Sequence, residues 1–217
     1  GIVVSLGHTS ASFDEAERGV RCGARMLTHL FNAMSSFHHR EPGLIGLLTE
    51  DNRENMDGVS FGIICDGIHV HPRAVRLAWK LCREGLVLVT DAMSATGLDG
   101  GIVHHLGSVQ VRISADGKKA TVVDHDSSCN EGCSSETLAG SVVTMETCVK
   151  NLRDYCNCEI GEALVAATLR PAMILGLETK GKIEVGCDAD LVVLDDDLRV
   201  LETWIGGSCV FETGDSV

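Results

Sequence analysis

The apolar positions of this chain gather into short runs, and polar residues with chemical potential follow directly behind them. The first run is "GIVVSLGH", a strand over Ile2–Leu6 closed by Gly7 and His8. "SFDEAERGVRCG" then predicts a helix: Ser12 can cap it, Glu15 three residues on completes a capping box, and Gly23 suits its C-terminal stop. A second strand, "ARMLT", ends in His29, and a long polar loop follows. "VSFGIICDGIH" predicts a third strand closed by Asp66 and His69. Pro72 fits the first turn of a helix in "HPRAVRLAWKLCREG", which Gly85 should end. The strand "LVLVTDA" then leads to Asp91.

Largely apolar strands alternating with helices imply an α/β protein whose parallel strands are buried on both faces. In such sheets the strand C-termini share one rim, and in a (β/α)8 barrel that rim carries the active site. One histidine at a strand end is ordinarily structural. Four successive ends bearing His8, His29, Asp66 with His69, and Asp91 are hard to explain by packing. They read as a site.

The rest of the chain divides further. "VQVRISADGKKATVV" predicts a β-hairpin turning at Asp116-Gly117. "SVVTMETCVKNLRDYC" and "IGEALVAATLRPAMILG" predict helices, with Pro171 kinking or breaking the second. The tail from Gly181 has short strands and glycine turns, a small β layer in which Asp195, Asp196 and Asp197 form a solvated turn.

Composition narrows the function. The chain has 217 residues, 44% of them hydrophobic, enough to bury a core. Its net charge of −13 lacks the basic footprint that nucleic acid requires. An anionic small molecule would need a local device such as an arginine or a helix N-terminus. No apolar run has membrane-spanning length. Of the ten cysteines none forms a C-x-x-C pair, and the closest, Cys129/Cys133 and Cys156/Cys158, do not make a zinc ribbon. With no secretory signal they read as free thiols of a reducing cytoplasm.

Two imidazoles and one carboxylate are a common protein set for a catalytic divalent ion that keeps an open water position. His8 and His29, at the ends of successive strands, could meet at one ion. Asp91 could take a proton from its water and pass it to a leaving group. His69 would then be free to hydrogen-bond a substrate carbonyl. His71 reads as part of a polar loop.

"GHTSASFDEAERGVRCGARMLTHLFNAM…FHHREPG", "GIICDGIHVHP", "LVLVTDAMSATG", "TLAGS" and "GKIEVGCDADLVVLD" together resemble the N-acetylglucosamine-6-phosphate deacetylases of the amidohydrolase superfamily. The ordered match is weakest from Leu98 to Ser135. The resemblance implies a partial (β/α)8 metal-hydrolase barrel over residues 1–178, with a hairpin insertion near 108–123, and C-terminal strands of a small β-sandwich domain over 179–217. It implies His8 and His29 as ligands of one divalent ion, zinc first and other divalent transition metals after it. Asn32 and the Ala33 backbone would contact substrate, Arg40 the phosphate, and Asp66, Gly67, Ile68 and His69 the sugar and acetamide. Leu138, Ala139 and Gly140 would line the pocket, and Asp91 would be the general acid/base. The family more often has serine where Ala139 stands. His38, His39, His104, His105 and His125 take no role and read as surface residues.

The implied reaction converts N-acetylglucosamine 6-phosphate to glucosamine 6-phosphate and acetate, in a homodimer in which Arg40 serves the neighbouring site. The alternatives are a sibling amidohydrolase acting on another N-acyl or cyclic amide, and a non-catalytic sugar-phosphate-binding fragment. The family pattern also has a carboxylate ligand on a strand upstream of the "GH" motif, and this sequence starts after it. Asp14, Glu15 and Glu17 lie on a helix and cannot replace it. The chain is therefore expected to be a C-terminal portion, weak in metal binding and inactive alone, with an exposed edge at Ile2–Leu6.

Overall fold

Four strands, β1 (Val4–Leu6), β2 (Ala24–Leu27), β3 (Ser60–Ile64) and β4 (Leu86–Val89), form one parallel sheet in chain order. The computed structural model describes residues 1–49, 58–107, 109–123 and 137–214. His125, Cys129, Cys133 and the first residue of the expected 108–123 hairpin lie outside them.

Helices return the chain between strands for local reasons. α1 (Phe13–Arg21) begins at the capping box read from the sequence: Ser12 N–H donates to Glu15 Oε2 at 2.9 Å, and Glu15 N–H donates back to Ser12 Oγ at 3.4 Å. It stops at Cys22, and Gly23 takes φ 106°, a value costly for any other residue. β2 returns to β3 through a 3-10 helix (Gly43–Thr49), where the sequence pattern suggested only a loop. Leu44, Leu47 and Leu48 are buried there, so burial of a short apolar run makes this turn. α2 (Pro72–Leu81) carries the chain from β3 to β4 and ends before the expected Gly85. That glycine instead permits close packing: a Cβ there would stand 2.5 Å from Cys82 Sγ and 3.2 Å from Val59 O.

The chain divides by its internal contacts into Gly1–Val89 with Met145–Val217, and Thr90–Thr144. In the first unit Leu27, Phe61, Ile63, Ile64 and Leu86 of the strands are buried, as are Val75, Trp79 and Leu152 of the helices. β1 lies at the sheet edge with Val4 48% exposed, so its apolar run is not buried on both faces. α3 (Met145–Cys156) buries Cys148, Val149 and Leu152. The next predicted helix is two, α4 (Ile160–Val165) and α5 (Leu169–Leu175). Pro171 is not the break; it sits in the first turn of α5, where a missing N–H costs nothing. The break instead frees the Ala166 carbonyl to accept from Leu88 N–H on β4 at 2.9 Å.

The tail of this unit forms an antiparallel sheet of β9 (Leu191–Leu194), β10 (Val200–Ile205) and β11 (Ser208–Glu212). Asp195 turns β9 into β10, its Oδ1 accepting from the N–H groups of Asp197 and Arg199. The second unit is an antiparallel sheet in the order β5 (Val103–Leu106), β6 (Val109–Ile113), β7 (Ala120–Val122), β8 (Leu138–Gly140). β6 and β7 are the arms of the hairpin turning at Asp116-Gly117, and Val111, Ile113 and Ala120 form its core. The cysteines among the described residues are all free, and no described helix is long and apolar enough to cross a membrane.

Candidate active site

His8 and His29 lie two residues beyond β1 and β2. The parallel pairing of those strands continues past their ends: Thr28 N–H donates to Leu6 O at 2.7 Å and Thr9 N–H to Ala33 O at 3.0 Å. The rings face each other, Nε2 to Nε2 at 2.9 Å, with centroids 4.8 Å apart and planes 61° apart. Gly7 permits this approach, since a Cβ there would stand 2.6 Å from the Thr28 Cβ.

Backbone strain is concentrated in the same place. His8, His29, Phe31 and Ala33 have φ of 46°, 27°, 76° and 50°. Left-handed non-glycine residues cost about 1–3 kcal/mol each and persist where surrounding structure holds them for a function. Asn32, between two of them, donates from Nδ2 to Leu30 O at 3.3 Å. Arg40 is exposed in a tight turn closed by His38 and Glu41, and no carboxylate among the described residues pairs with it. His38 and His39 stack beside it, centroids 4.3 Å apart.

The loop after β3 is built around Asp66. Its Oδ1 accepts from the N–H groups of Ile68 and His69, both at 2.8 Å, and its Oδ2 meets His69 Nδ1 at 2.6 Å. The Asp66 side chain is 3% exposed and that of His69 11%. Burial pushes the Asp66 carboxyl up, but the hydrogen bonds from His69 and Ile68 outweigh it and hold the group below the ordinary carboxylate value. An ionised Asp66 can accept the Nδ1 proton of His69, which leaves Nε2 free of Asp66. His71 has a structural role: its Nδ1 caps α2 by accepting from Arg73 N–H at 3.1 Å.

In the second unit Asp91 has φ 48°. Its carbonyl accepts from Ser141 N–H at 3.3 Å, and Met93 N–H donates to Ser141 O at 2.9 Å. This bridge brings Asp91 beside β8, the strand of Leu138, Ala139 and Gly140. Gly140, at φ 133°, lies against the Met93 side chain.

The donor set fits part of a divalent site. Two imidazole nitrogens bound to one tetrahedral zinc at about 2.0–2.1 Å lie about 3.3 Å apart, close to the observed spacing. His29 is 6% exposed, and its Nδ1 has no partner among the described residues. Among the described residues no cluster of three or more His, Cys, Asp or Glu side chains has metal-holding geometry. Glu15 is used by its cap and Glu17 pairs with Arg21 at 2.9 Å, so α1 supplies no further ligand from these two.

A sequence profile of the Amidohydrolase family matches residues 1–212. The chain belongs to the amidohydrolase family. Among curated members it is 47% identical over 212 residues to the N-acetylglucosamine-6-phosphate deacetylase of Danio rerio, covering 97% of this chain and 49% of that protein. To the Homo sapiens deacetylase it is 45% identical over 213 residues, covering 98% and 49%. Its structure superposes on the Thermotoga maritima deacetylase with a TM-score of 0.83 at 34% identity, covering 98% of this chain and 53% of that one. A Mycobacterium smegmatis deacetylase solved in complex with N-acetyl-D-glucosamine-6-phosphate gives 0.79 at 38% identity, covering 97% and 51%. The chain thus spans about half the length of these relatives. Amidohydrolases are generally metal-dependent, which accords with the paired histidines.

Two features of this amidohydrolase site had no signal in the sequence: the His71 cap, and the donation of Asn151 Nδ2 on α3 to Cys65 O at 2.8 Å. The second spans 86 residues, and no local pattern marks it.

Proposed function

We propose that this chain is part of a metal-dependent amide hydrolase that converts N-acetylglucosamine 6-phosphate to glucosamine 6-phosphate and acetate. The convergence of His8 and His29 carries the reading, in a chain similar over nearly its whole length to deacetylases of that name. The sequential parallel order of β1–β4 supports a partial (β/α)8 barrel over residues 1–178, and the antiparallel tail supports a small β domain over 179–217.

His8 and His29 would hold one divalent ion, zinc first, though the same donors accept other divalent ions. The ion, when bound, supplies an acidified water and polarises the acetamide carbonyl. The third ligand of the family pattern, a carboxylate, has no counterpart among the described residues. Asp91, by the family resemblance, would be the general acid/base, taking a proton from water and giving one to the leaving nitrogen. His69 offers Nε2 to the carbonyl oxygen. With Nδ1 engaged on Asp66, that buried carboxylate acts by orienting the ring. Asn32 and the Ala33 backbone would hold the sugar beside Gly67 and Ile68, and the family resemblance also gives substrate contacts to Leu138, Ala139 and Gly140. The free fork of Arg40 suits two phosphate oxygens, in its own site or in that of a homodimer partner. The free thiols among the described residues fit a cytoplasmic enzyme.

The test joins this chain behind the N-terminal half of the Danio rerio relative, loads the fusion with zinc and measures acetate release. N-acetylglucosamine 6-phosphate should turn over well ahead of N-acetylglucosamine and a cyclic amide. A folded, zinc-loaded fusion that prefers the cyclic amide, or releases no acetate, rejects the reading.

A further inference from the structure

α3 presents two polar side chains to the loop that carries His69. Asn151 donates to the carbonyl of Cys65, the residue that ends the β3 run, at 2.8 Å. Tyr155, one turn further on, places its hydroxyl against Gly67: a Cβ built on that glycine would stand 2.7 Å from the Tyr155 oxygen and 3.7 Å from its Cζ. Gly67 also has φ 75°. Asp66 lies between these two contact points, and every oxygen of its carboxylate is spent on Ile68 and His69.

We infer that Asn151 and Tyr155 are positioning residues that set the direction of His69 Nε2, a role that rests on His69 acting as proposed above. The chain of contacts is short and each link is polar or tight. Asn151 fixes the backbone on one side of Asp66 and Tyr155 on the other. Asp66 then fixes the ring through Nδ1. The helix is a firm base, because it also buries Cys148, Val149, Leu152 and Cys156. The Tyr155 hydroxyl also keeps its proton, since burial raises its pKa and the neighbouring Cys65 and Asp66 add to the effect. Without Asn151 the Cys65 carbonyl loses its donor. The Asp66 turn can then swing while α3 itself stays packed, and misplacing a reacting group by about 1 Å can cost on the order of 10²-fold in rate.

The experiment reads the ring directly. In 15N-labelled chain at neutral pH, with the His69 signals assigned by their loss in His69→Gln, the Nδ1 proton should be protected from exchange by Asp66. Asn151→Ala should speed that exchange by at least about 10-fold or erase the signal, as expected when an outer partner orienting a histidine is removed. Tyr155→Phe keeps the ring packing and serves if Asn151→Ala does not fold; it should weaken the same protection. Gly67→Ala should lose the signal, and Gly67→Ala with Tyr155→Phe should regain part of it, because the nearest atom is then at ordinary contact distance. Unchanged His69 signals in both Asn151→Ala and Tyr155→Phe overturn the inference. In the active fusion Asn151→Ala should lower kcat about 10- to 100-fold with KM moved less than about threefold. A parallel rise in KM alone would make Asn151 a binding-loop residue and overturn the role. If no fusion releases acetate while the ring signals respond as stated, the deacetylase reading falls and the positioning of His69 stands.

Discussion

His8 and His29 meet Nε2 to Nε2 at 2.9 Å, although 21 residues separate them in the chain. Parallel pairing of β1 and β2 aligns the two strand ends, and the left-handed backbone at both histidines turns their rings toward one another. At 2.9 Å one Nε2–H can donate to the other ring's Nε2, so the two nitrogens already share a single site. A divalent cation could take the place of that shared proton.

That relationship makes metal binding the first prediction. Two histidines leave most of an ion's shell to water, so the chain alone should hold zinc loosely and lose it as acid protonates the rings. Desalted protein should contain well under one zinc per chain, less at pH 5.5 than at pH 7.5, and His29→Ala should contain essentially none. Stoichiometric zinc surviving a chelator would show a third ligand within this sequence.

Asp91 gives the second. In the active fusion Asp91→Asn should lower turnover by about 10²-fold or more, the scale of a lost general acid/base, with zinc content unchanged. Near-normal kcat by acetate assay would remove Asp91 from the chemistry.

Arg40 gives the third. A point charge cannot copy the two-pronged contact of a guanidinium, so Arg40→Lys should raise KM for N-acetylglucosamine 6-phosphate while scarcely affecting N-acetylglucosamine. Equal losses on both sugars would mark Arg40 as structural.

Asp66 gives the fourth, with its sign fixed by the depressed pKa. A carboxyl held lower in the folded than in the unfolded chain adds stability above its unfolded value of about 3.9, and that stability is lost as pH falls through the folded value. Asp66→Asn should therefore cost about 1–3 kcal/mol at neutral pH, the scale of a charged hydrogen bond left unmade, and the deficit should shrink below about pH 4. Melting curves of both proteins from pH 3 to 7 provide the check. A deficit independent of pH would mean that the charge contributes nothing.

Much of this was legible one element at a time. The capping box of Ser12 and Glu15, Pro72 opening α2 and the turn at Asp116-Gly117 depend on residues within a few positions, and local chemistry decides them. The strand ends at His8, His29 and Asp66 were legible for the same reason, because an apolar run followed by a polar residue marks where a buried strand emerges. Three local readings needed tertiary context: the 3-10 helix at Gly43–Thr49, the break between α4 and α5 ahead of Pro171, and the exposed face of β1. Each was decided by what packs against it.

The site shows the same division. By itself the sequence determined which residue types stand at the strand ends and that Gly7 and Gly67 precede two of the histidines, since these are facts of order along one chain. Only the tertiary structure decided that His8 faces His29, that both oxygens of Asp66 are occupied by its own loop, and that Asn151 reaches Cys65 across 86 residues. The reason is physical: strand pairing and helix docking choose partners by burial and hydrogen bonding among residues far apart in the chain, and no local pattern encodes that choice.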